Sequence, residues 1–476
     1  MNNEFCRGLN LGLIVVALLC CYVFTACDDD YPASTVDPYE TELLAIKILN
    51  AGPDGNRVVE GTIDEENKMI NFPRLEVESN FSALRVEATL SQGAHLKDSV
   101  FDFSMDEADA YKTLILRVMN QKRYKDYFMK IRKKIPVFGA DFDKPSVYNF
   151  SGDKVYDSYK SLLTRCADFD GEHVLVVTRS ETKPHLLKLS DLKEGKINPI
   201  KLDLTGVSGG TFPYNTGALS GGHIYLASLS GGHASPLKIY YYETPTSAPE
   251  LIADINVGKI EGAGNRHGDA MTLNLDESGN GYIFFPDNGA KEVLRFTVKN
   301  FKTISDPMVI PHKMDVTTFN SIHRIENSSD YLWAGIRTPI MLTDANLTVN
   351  YSMKKDNFPL ESIAPRIFTF NKSRYLITCT AGLGGSTKAT PTLSVYDISK
   401  GNTVKEALEI FDKGDNHNPV YSFILGGSGN GAPGTHTNYY IEKDANGKDA
   451  KLYIFASRAN SGFVISEFPV KVAEDD

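Results

Sequence analysis

After residue 150, a pair of strand-like segments recurs at a nearly fixed interval. Each unit opens with a short run of bulky apolar residues, continues through a loop, and ends in a second apolar run. The first runs are 174–178, 223–229, 282–285, 331–336, 375–380 and 452–456. The second runs are 186–189, 237–242, 293–298, 340–343, 393–398 and 463–468. The units begin between residues 174 and 452, which spaces them about 56 residues apart. Each unit also has room for a strand before and after the pair; in the third these are 270–275 and 306–310. Four strands at a period near 50 residues describe a β-propeller blade. Six units describe six blades over about 330 residues; a sandwich lacks this period, and a β-helix needs shorter repeats.

The sixth unit runs out of chain before a fourth strand, and an unpaired blade edge invites aggregation. Segment 146–150 lies just ahead of the first unit. The expectation is that it pairs with 463–468 and closes the ring.

Residues 43–135 follow a different pattern. Seven short strand candidates (44–49, 57–63, 68–72, 84–90, 99–103, 113–118 and 127–135) are divided by turn signals such as Pro53-Asp54-Gly55 and Gln92-Gly93. Segment 84–90 alternates apolar and polar residues, the period of a half-buried strand. About seven short strands in ~95 residues fit an immunoglobulin-like (Ig-like) sandwich. Glycine marks the same boundary: 7 of the 38 glycines precede residue 151. The fold class read from the sequence is therefore all-β. A small Ig-like β-sandwich at 41–137 precedes a six-bladed β-propeller at 138–476.

The first 26 residues read as an export signal. Arg7 precedes an apolar run over 11–24, then Thr25-Ala26-Cys27. Fourteen apolar residues fall short of the roughly 20 that cross a bilayer. Phe24-Thr25-Ala26-Cys27 resembles a bacterial lipobox, with Phe24 where Leu is usual. The resemblance implies lipidation of Cys27; an ordinary cleaved signal or an N-terminal anchor is the competing reading. Asp28, Asp29 and Asp30 then resemble the surface-export signal of Bacteroides-type lipoproteins. In enteric bacteria, an Asp at that place implies retention in the inner membrane instead. Residues 27–40 read as an acidic tether. The expected localisation is the outer membrane, lipid-anchored and facing the exterior.

Of six cysteines, only Cys166 and Cys379 lie beyond this segment, and both fall in apolar strand-like runs. They read as buried thiols rather than a disulfide framework. The net charge of -10 argues against nucleic acid, whose phosphates need clustered Lys and Arg. The basic run of Arg117, Lys122, Arg123, Lys125, Lys130, Arg132, Lys133 and Lys134 reads as a solvated strand face or a contact with anionic lipid. The glycine-rich stretch 426–434 lacks the Lys-Ser/Thr of a phosphate loop and reads as a surface loop.

In a propeller, the loops between blades share a face with the loops joining each blade's second and third strands. Those segments here carry Phe212, Tyr214, Asn215, His233, Asn265, Arg266, His267, Asp269, Asp287, Asn288, Arg337, Arg366, Lys388, His436 and Arg458. The set is amide-rich and mixed in sign. Sugars need that mixture, because their hydroxyls pair with Asn, Asp and Arg while their C–H faces stack on rings. Phe212 and Tyr214 are the stacking candidates; the single Trp, Trp333, sits inside a strand and reads as core. Asp269, Asp287, Asp315 and Glu361 could supply the carboxylate pair of a glycosidase. No Ser-x-Asp-x-Gly-x-Thr-Trp box, Gly-x-Ser-x-Gly elbow or His-Glu-x-x-His is present.

Arg266-His267-Gly268-Asp269, Asn280-Gly281-Tyr282-Ile283 and Val293-Leu294-Arg295-Phe296 resemble a propeller family of Bacteroides-type surface lipoproteins. The segment from Gly61-Thr62-Ile63 to Gly93-Ala94 resembles the Ig-like domains set between lipid anchor and ligand-binding domain in such proteins. The resemblance implies an outer-membrane protein tied to glycan capture. The expected partners are a glycan or other extracellular ligand, the membrane through the lipid anchor, and an outer-membrane uptake complex. A propeller glycoside hydrolase or lyase is the alternative, and a protein-interaction scaffold is a third. No cofactor or metal is expected.

Overall fold

The computed structural model describes residues 39–106, 109, 111–134, 137–231, 235–289, 291–317, 319–382, 389–427 and 431–472. Cys27, Asp28, Asp29, Asp30, His233 and Lys388 lie outside the described residues, as do the signal and nearly all of the tether. Contacts divide the chain into two compact units, the larger being Val137–Val472. Among the described residues, no helix is long and apolar enough to cross a membrane.

The smaller unit is one curled sheet of eight strands. Their spatial order is His95–Leu96, Tyr111–Asn120, Arg123–Arg132, Met69–Asn71, Arg57–Asp64, Leu43–Ala51, Leu84–Leu90 and Val100–Phe101. Alternation places Ile46, Ile48, Leu84, Val86, Leu116, Val118, Met129 and Ile131 in its core. Neighbours are antiparallel except Met69–Asn71, which runs parallel to Arg123–Arg132. That pairing links all the strands along one hydrogen-bonded path, where a sandwich has two separate sheets. Much of the basic run is paired within the unit: Arg117 forks onto Asp126 at 2.7 Å, and Lys125 meets Glu65 at 2.9 Å.

The larger unit is a six-bladed propeller. Its innermost strands are Thr164–Phe169, Phe212–Ser220, Thr272–Leu275, Asn320–Arg324, Ser362–Phe370 and Thr435–Lys443, for blades 1 to 6. All six pairs of recurring segments are the second and third strands of these blades. Blade 3 carries a fifth strand, because both Thr303–Ile304 and Met308–Pro311 pair with Glu292–Lys299. In blade 6 the outermost strand is Ser146–Ser151, from the other end of the unit. It pairs antiparallel with Gly462–Pro469, Phe150 opposite Phe463 and Ser146 opposite Glu467. The expected ring closure is present.

The continuous apolar runs have a geometric cause. A middle strand has a neighbouring blade on each face, so both sets of alternating side chains are buried. In His173–Thr178, Val174 and Val176 enter the seam with blade 6, while Leu175 and Val177 enter the seam with blade 2. Burial of each such side chain contributes about 1.5–3 kcal/mol. Trp333 lies in the seam between blades 3 and 4, its indole N–H donating to Asn320 Oδ1 at 2.8 Å. Cys166 and Cys379 are buried free thiols, and burial pushes both up to about 12.

One helix was not evident from the sequence. Val404–Lys413 sits between the third and fourth strands of blade 5 and seats Ala407 and Leu408 in the seam with blade 4. Thr403 caps it, its hydroxyl accepting from Glu406 N–H at 3.1 Å. Its buried Asp412 accepts from Tyr351 Oη at 2.7 Å and Lys354 N–H at 2.9 Å.

Candidate functional site

The propeller face that carries the inter-blade loops brings together residues from blades 1, 2 and 3. At the centre is Asp269, whose side chain is 4% exposed. Arg266 grips it from the same loop, with Nη2 3.0 Å from Oδ1 and Nε 2.7 Å from Oδ2. Asn288, from the loop between the second and third strands of blade 3, donates to Oδ2 at 2.8 Å. Arg165, on the innermost strand of blade 1, reaches Oδ1 at 3.5 Å.

A second arm of the cluster comes from blade 2. Asn215 is fully buried and donates to Gly268 O at 2.6 Å, while its own oxygen accepts from Arg179. The Arg179 guanidinium lies 3.5 Å over the ring of Phe212, covering one face of it. Phe212 remains 36% exposed. Gly268 is required here: its φ is +95°, and a Cβ would stand 2.2 Å from Ser228 O. This close passage lets the loop turn Arg266 and Asp269 toward Asn215.

Two guanidinium groups thus share one carboxylate, and a third, Arg179, is held beside them by Asn215. Burial lowers the affinity of Arg165 and Arg179 for their protons, and the mutual repulsion of the arginines acts in the same sense. Arg179 falls to about 10 and stays charged at neutral pH. Among the described residues, the buried Nε atoms of Arg165, Arg179 and Arg266 make no hydrogen bond.

Beneath this layer His267, from the same loop, meets Glu292, which opens the third strand of blade 3. His267 Nε2 lies 2.6 Å from Glu292 Oε1, which also accepts from Gly264 N–H at 2.9 Å. Asp287 accepts from Arg266 N–H at 3.3 Å, and its carboxylate comes within 4.8 Å of the donor atoms of His267 and Glu292. All three side chains are buried. Among the described residues this is the grouping of a kind that could ligate a metal. Asp287 and Glu292 are also a close carboxylate pair, but burial leaves no room for a sugar between them.

The central channel is narrow. A cavity of about 30 Å³ lies among Met271, Thr272, Phe319, His323, Ile363 and His436. That is room for one or two waters, not for a sugar ring. Burial pushes His436 down to about 4 and His323 well below its ordinary value, so both imidazoles are neutral. Arg366 lies deeper, donating to Thr437 O at 2.7 Å, with burial lowering its affinity for its proton and Asp168 opposing.

The other expected residues are dispersed. Tyr214 packs against the seam of blades 1 and 2. Arg458 is fully buried and donates to the carbonyls of Ala432 and Ala381. Arg337 is exposed and paired with Asp315 at 3.3 Å. Glu361 is buried and Asn265 is exposed. Sequence reasoning missed Arg165, Arg179 and Glu292. Arg179 had a signal, since it opens the blade 1 loop on the same face. Arg165 had none, because only the register of its strand tells which way it points.

Residues 29–471 match the family model described as Domain of unknown function (DUF4623). A DUF4623 family protein of Bacteroides eggerthii, known from its crystal structure, is 57% identical, with a TM-score of 0.75. The match covers 92% of this chain and 100% of that one. Regucalcin of Agrobacterium tumefaciens, a calcium-binding protein, is 14% identical over 67% of this chain and 94% of its own, with a TM-score of 0.37. The endo-arabinase of Bacteroides thetaiotaomicron is 13% identical over 66% and 96%, with a TM-score of 0.32. No curated protein matches the chain. The family match over nearly the whole length, with the 57% identity, places this chain in the DUF4623 family.

Proposed function

We propose that this protein is a lipid-anchored surface protein that captures a glycan on the propeller face formed by blades 1 to 3. The reading is carried by one observation. Arg266, Asp269 and Asn288 form one polar cluster, linked through Gly268, Asn215 and Arg179 to the partly exposed ring of Phe212. Sugar hydroxyls are recognised by that combination of planar polar groups and an apolar wall. The lipobox-like Cys27, the aspartates after it and the relative from Bacteroides support a place on the outer membrane. In this reading the smaller unit is an Ig-like spacer, and the protein serves a polysaccharide-uptake system.

The test is a panel of purified polysaccharides, with binding and new reducing ends measured together. Binding without new reducing ends, weakened by N288A, is the expected result. Release of shortened products would make the protein a hydrolase or lyase instead. Absence of glycan binding, with co-purification of an outer-membrane porin, would make it a scaffold. For the anchor, C27S is expected to move the protein from the membrane to the soluble fraction.

A further inference from the structure

We propose that Arg165, Arg179 and Arg266 form an anion subsite, so that the captured glycan is an acidic one, bearing carboxylate or sulfate groups. This rests on the glycan reading above and narrows it to a ligand class. The chain as a whole is acidic, with a net charge of -10; at this point on the face three guanidinium groups gather.

The argument is one of uncompensated charge. Asp269 is the carboxylate that Arg266 and Arg165 contact, and Arg266 already meets both of its oxygens. Arg165 reaches it only at 3.5 Å. Arg179 has a neutral amide, Asn215, as its acceptor and a ring beneath its plane. Among the described residues, two of the three positive charges therefore lack a counter-charge in direct contact of their own, in a setting where charges are costly unless paired. The buried Nε–H groups of Arg165, Arg179 and Arg266 also make no hydrogen bond among the described residues. Guanidinium forks match the two or three oxygens of a carboxylate or sulfate, and the bonds are charge-assisted. Access is available: the Arg266 side chain is 43% exposed and that of Arg165 11%. Phe212 flanks the same spot and offers apolar surface to the ring that carries the anion.

A closed network built only for stability predicts something different. It would match each arginine with an acid, as Arg117 is matched with Asp126 in the smaller unit. On this face the match is left incomplete in the direction an anionic ligand would complete.

Calorimetric titration of the whole protein at low salt tests the proposal. The probes are sodium sulfate, galacturonate oligosaccharides, chondroitin sulfate oligosaccharides and neutral cello-oligosaccharides. Sulfate and at least one acidic oligosaccharide are expected to bind, and comparison of the uronate and sulfated arms identifies the source of the anion. R179Q is expected to weaken this binding by about tenfold or more, since hydrogen bonds between charged groups are worth at least that factor. Its melting temperature without ligand is expected to match that of the wild type. R266Q, at the more exposed side chain, provides a second variant with the same expected loss. Wild-type and variant affinities that agree for every anionic probe would overturn the proposal. Equal, Arg179-independent binding of neutral and acidic glycans would also overturn it, while leaving the glycan reading standing. Arg179-dependent binding of sulfate with no binding of any glycan would keep the anion subsite and sink the glycan reading.

Discussion

The Tyr148 hydroxyl donates to Glu467 at 2.8 Å, joining residues 319 positions apart in the chain. Beside it, Phe150 stacks on Phe463 with ring centroids 4.9 Å apart. These contacts hold Ser146–Ser151 against Gly462–Pro469 and close the ring. F150A is therefore expected to destabilise the propeller by about 3–5 kcal/mol, the range for removing a buried aromatic side chain. Urea unfolding checks this. A loss below 1 kcal/mol would mean that closure does not depend on this stack.

Arg458 separates a packing role from a ligand role. It is fully buried and spends its donors on the carbonyls of Ala432 and Ala381. R458A is expected to cost about 3 kcal/mol or more, because it removes two buried hydrogen bonds made by a charged group and empties the space of a fully buried side chain. R458K keeps the charge but not the fork and should rescue little. Chemical unfolding of both variants, with R179Q as a half-exposed comparison, measures the difference.

The channel histidines set a pH window. Burial holds His436 down to about 4, and it lowers His323 as well. In the unfolded chain both take up a proton near pH 6.5. Their contribution to stability is thus complete above that pH and is lost as pH falls toward 4. Between pH 7 and pH 5, H436N should lose about 1–2 kcal/mol less stability than the wild type. Equal losses in the two proteins would show that the fold does not lower the affinity of His436 for its proton.

Thiol chemistry gives a direct check on burial. Cys166 and Cys379 are buried and held up to about 12, so neither presents a thiolate at neutral pH. In a protein beginning at Asp28, no thiol should react with iodoacetamide in the native state. Two should react in urea. Rapid native labelling of either would place it at a surface.

The His267–Glu292 pair is expected to be structural to the loop that carries Arg266 and Asp269. Both side chains are buried and 2.6 Å apart. E292L removes the carboxylate that accepts from Gly264 N–H and meets the His267 ring, leaving buried polar groups unsatisfied, and should cost about 2–3 kcal/mol. The readout is the unfolding midpoint together with anion affinity, which should fall as the loop loosens.

The propeller was legible in the sequence because its cause is local and repeated. Every middle strand is buried on both faces, so each of the six units carries consecutive bulky residues such as Val174-Leu175-Val176-Val177. Ring closure followed from a count of strands. Helix Val404–Lys413 went unread although Val404, Ala407, Leu408 and Phe411 face the core at helical spacing and Thr403 and Glu406 marked its start, because it is a short insertion between two strands of a repeat read as all strand. The single sheet path of the smaller unit depends on the parallel pairing of Met69–Asn71 with Arg123–Arg132, which joins segments far apart in the chain and leaves no local trace.

The same division holds for the candidate site. By itself, the sequence determined that six similar blades would form and that polar loops would gather on one face, since both follow from the period and the turn residues. Only the tertiary structure decided which of those residues meet. It sent Arg458 to backbone carbonyls, Tyr214 to a seam and Arg337 to solvent, and it drew Arg165 and Arg179 in beside Asp269. The reason is physical: the charge balance of a site is a sum over neighbours in space, and Arg165 stands 104 residues from Asp269 in the chain but 3.5 Å from it in the fold.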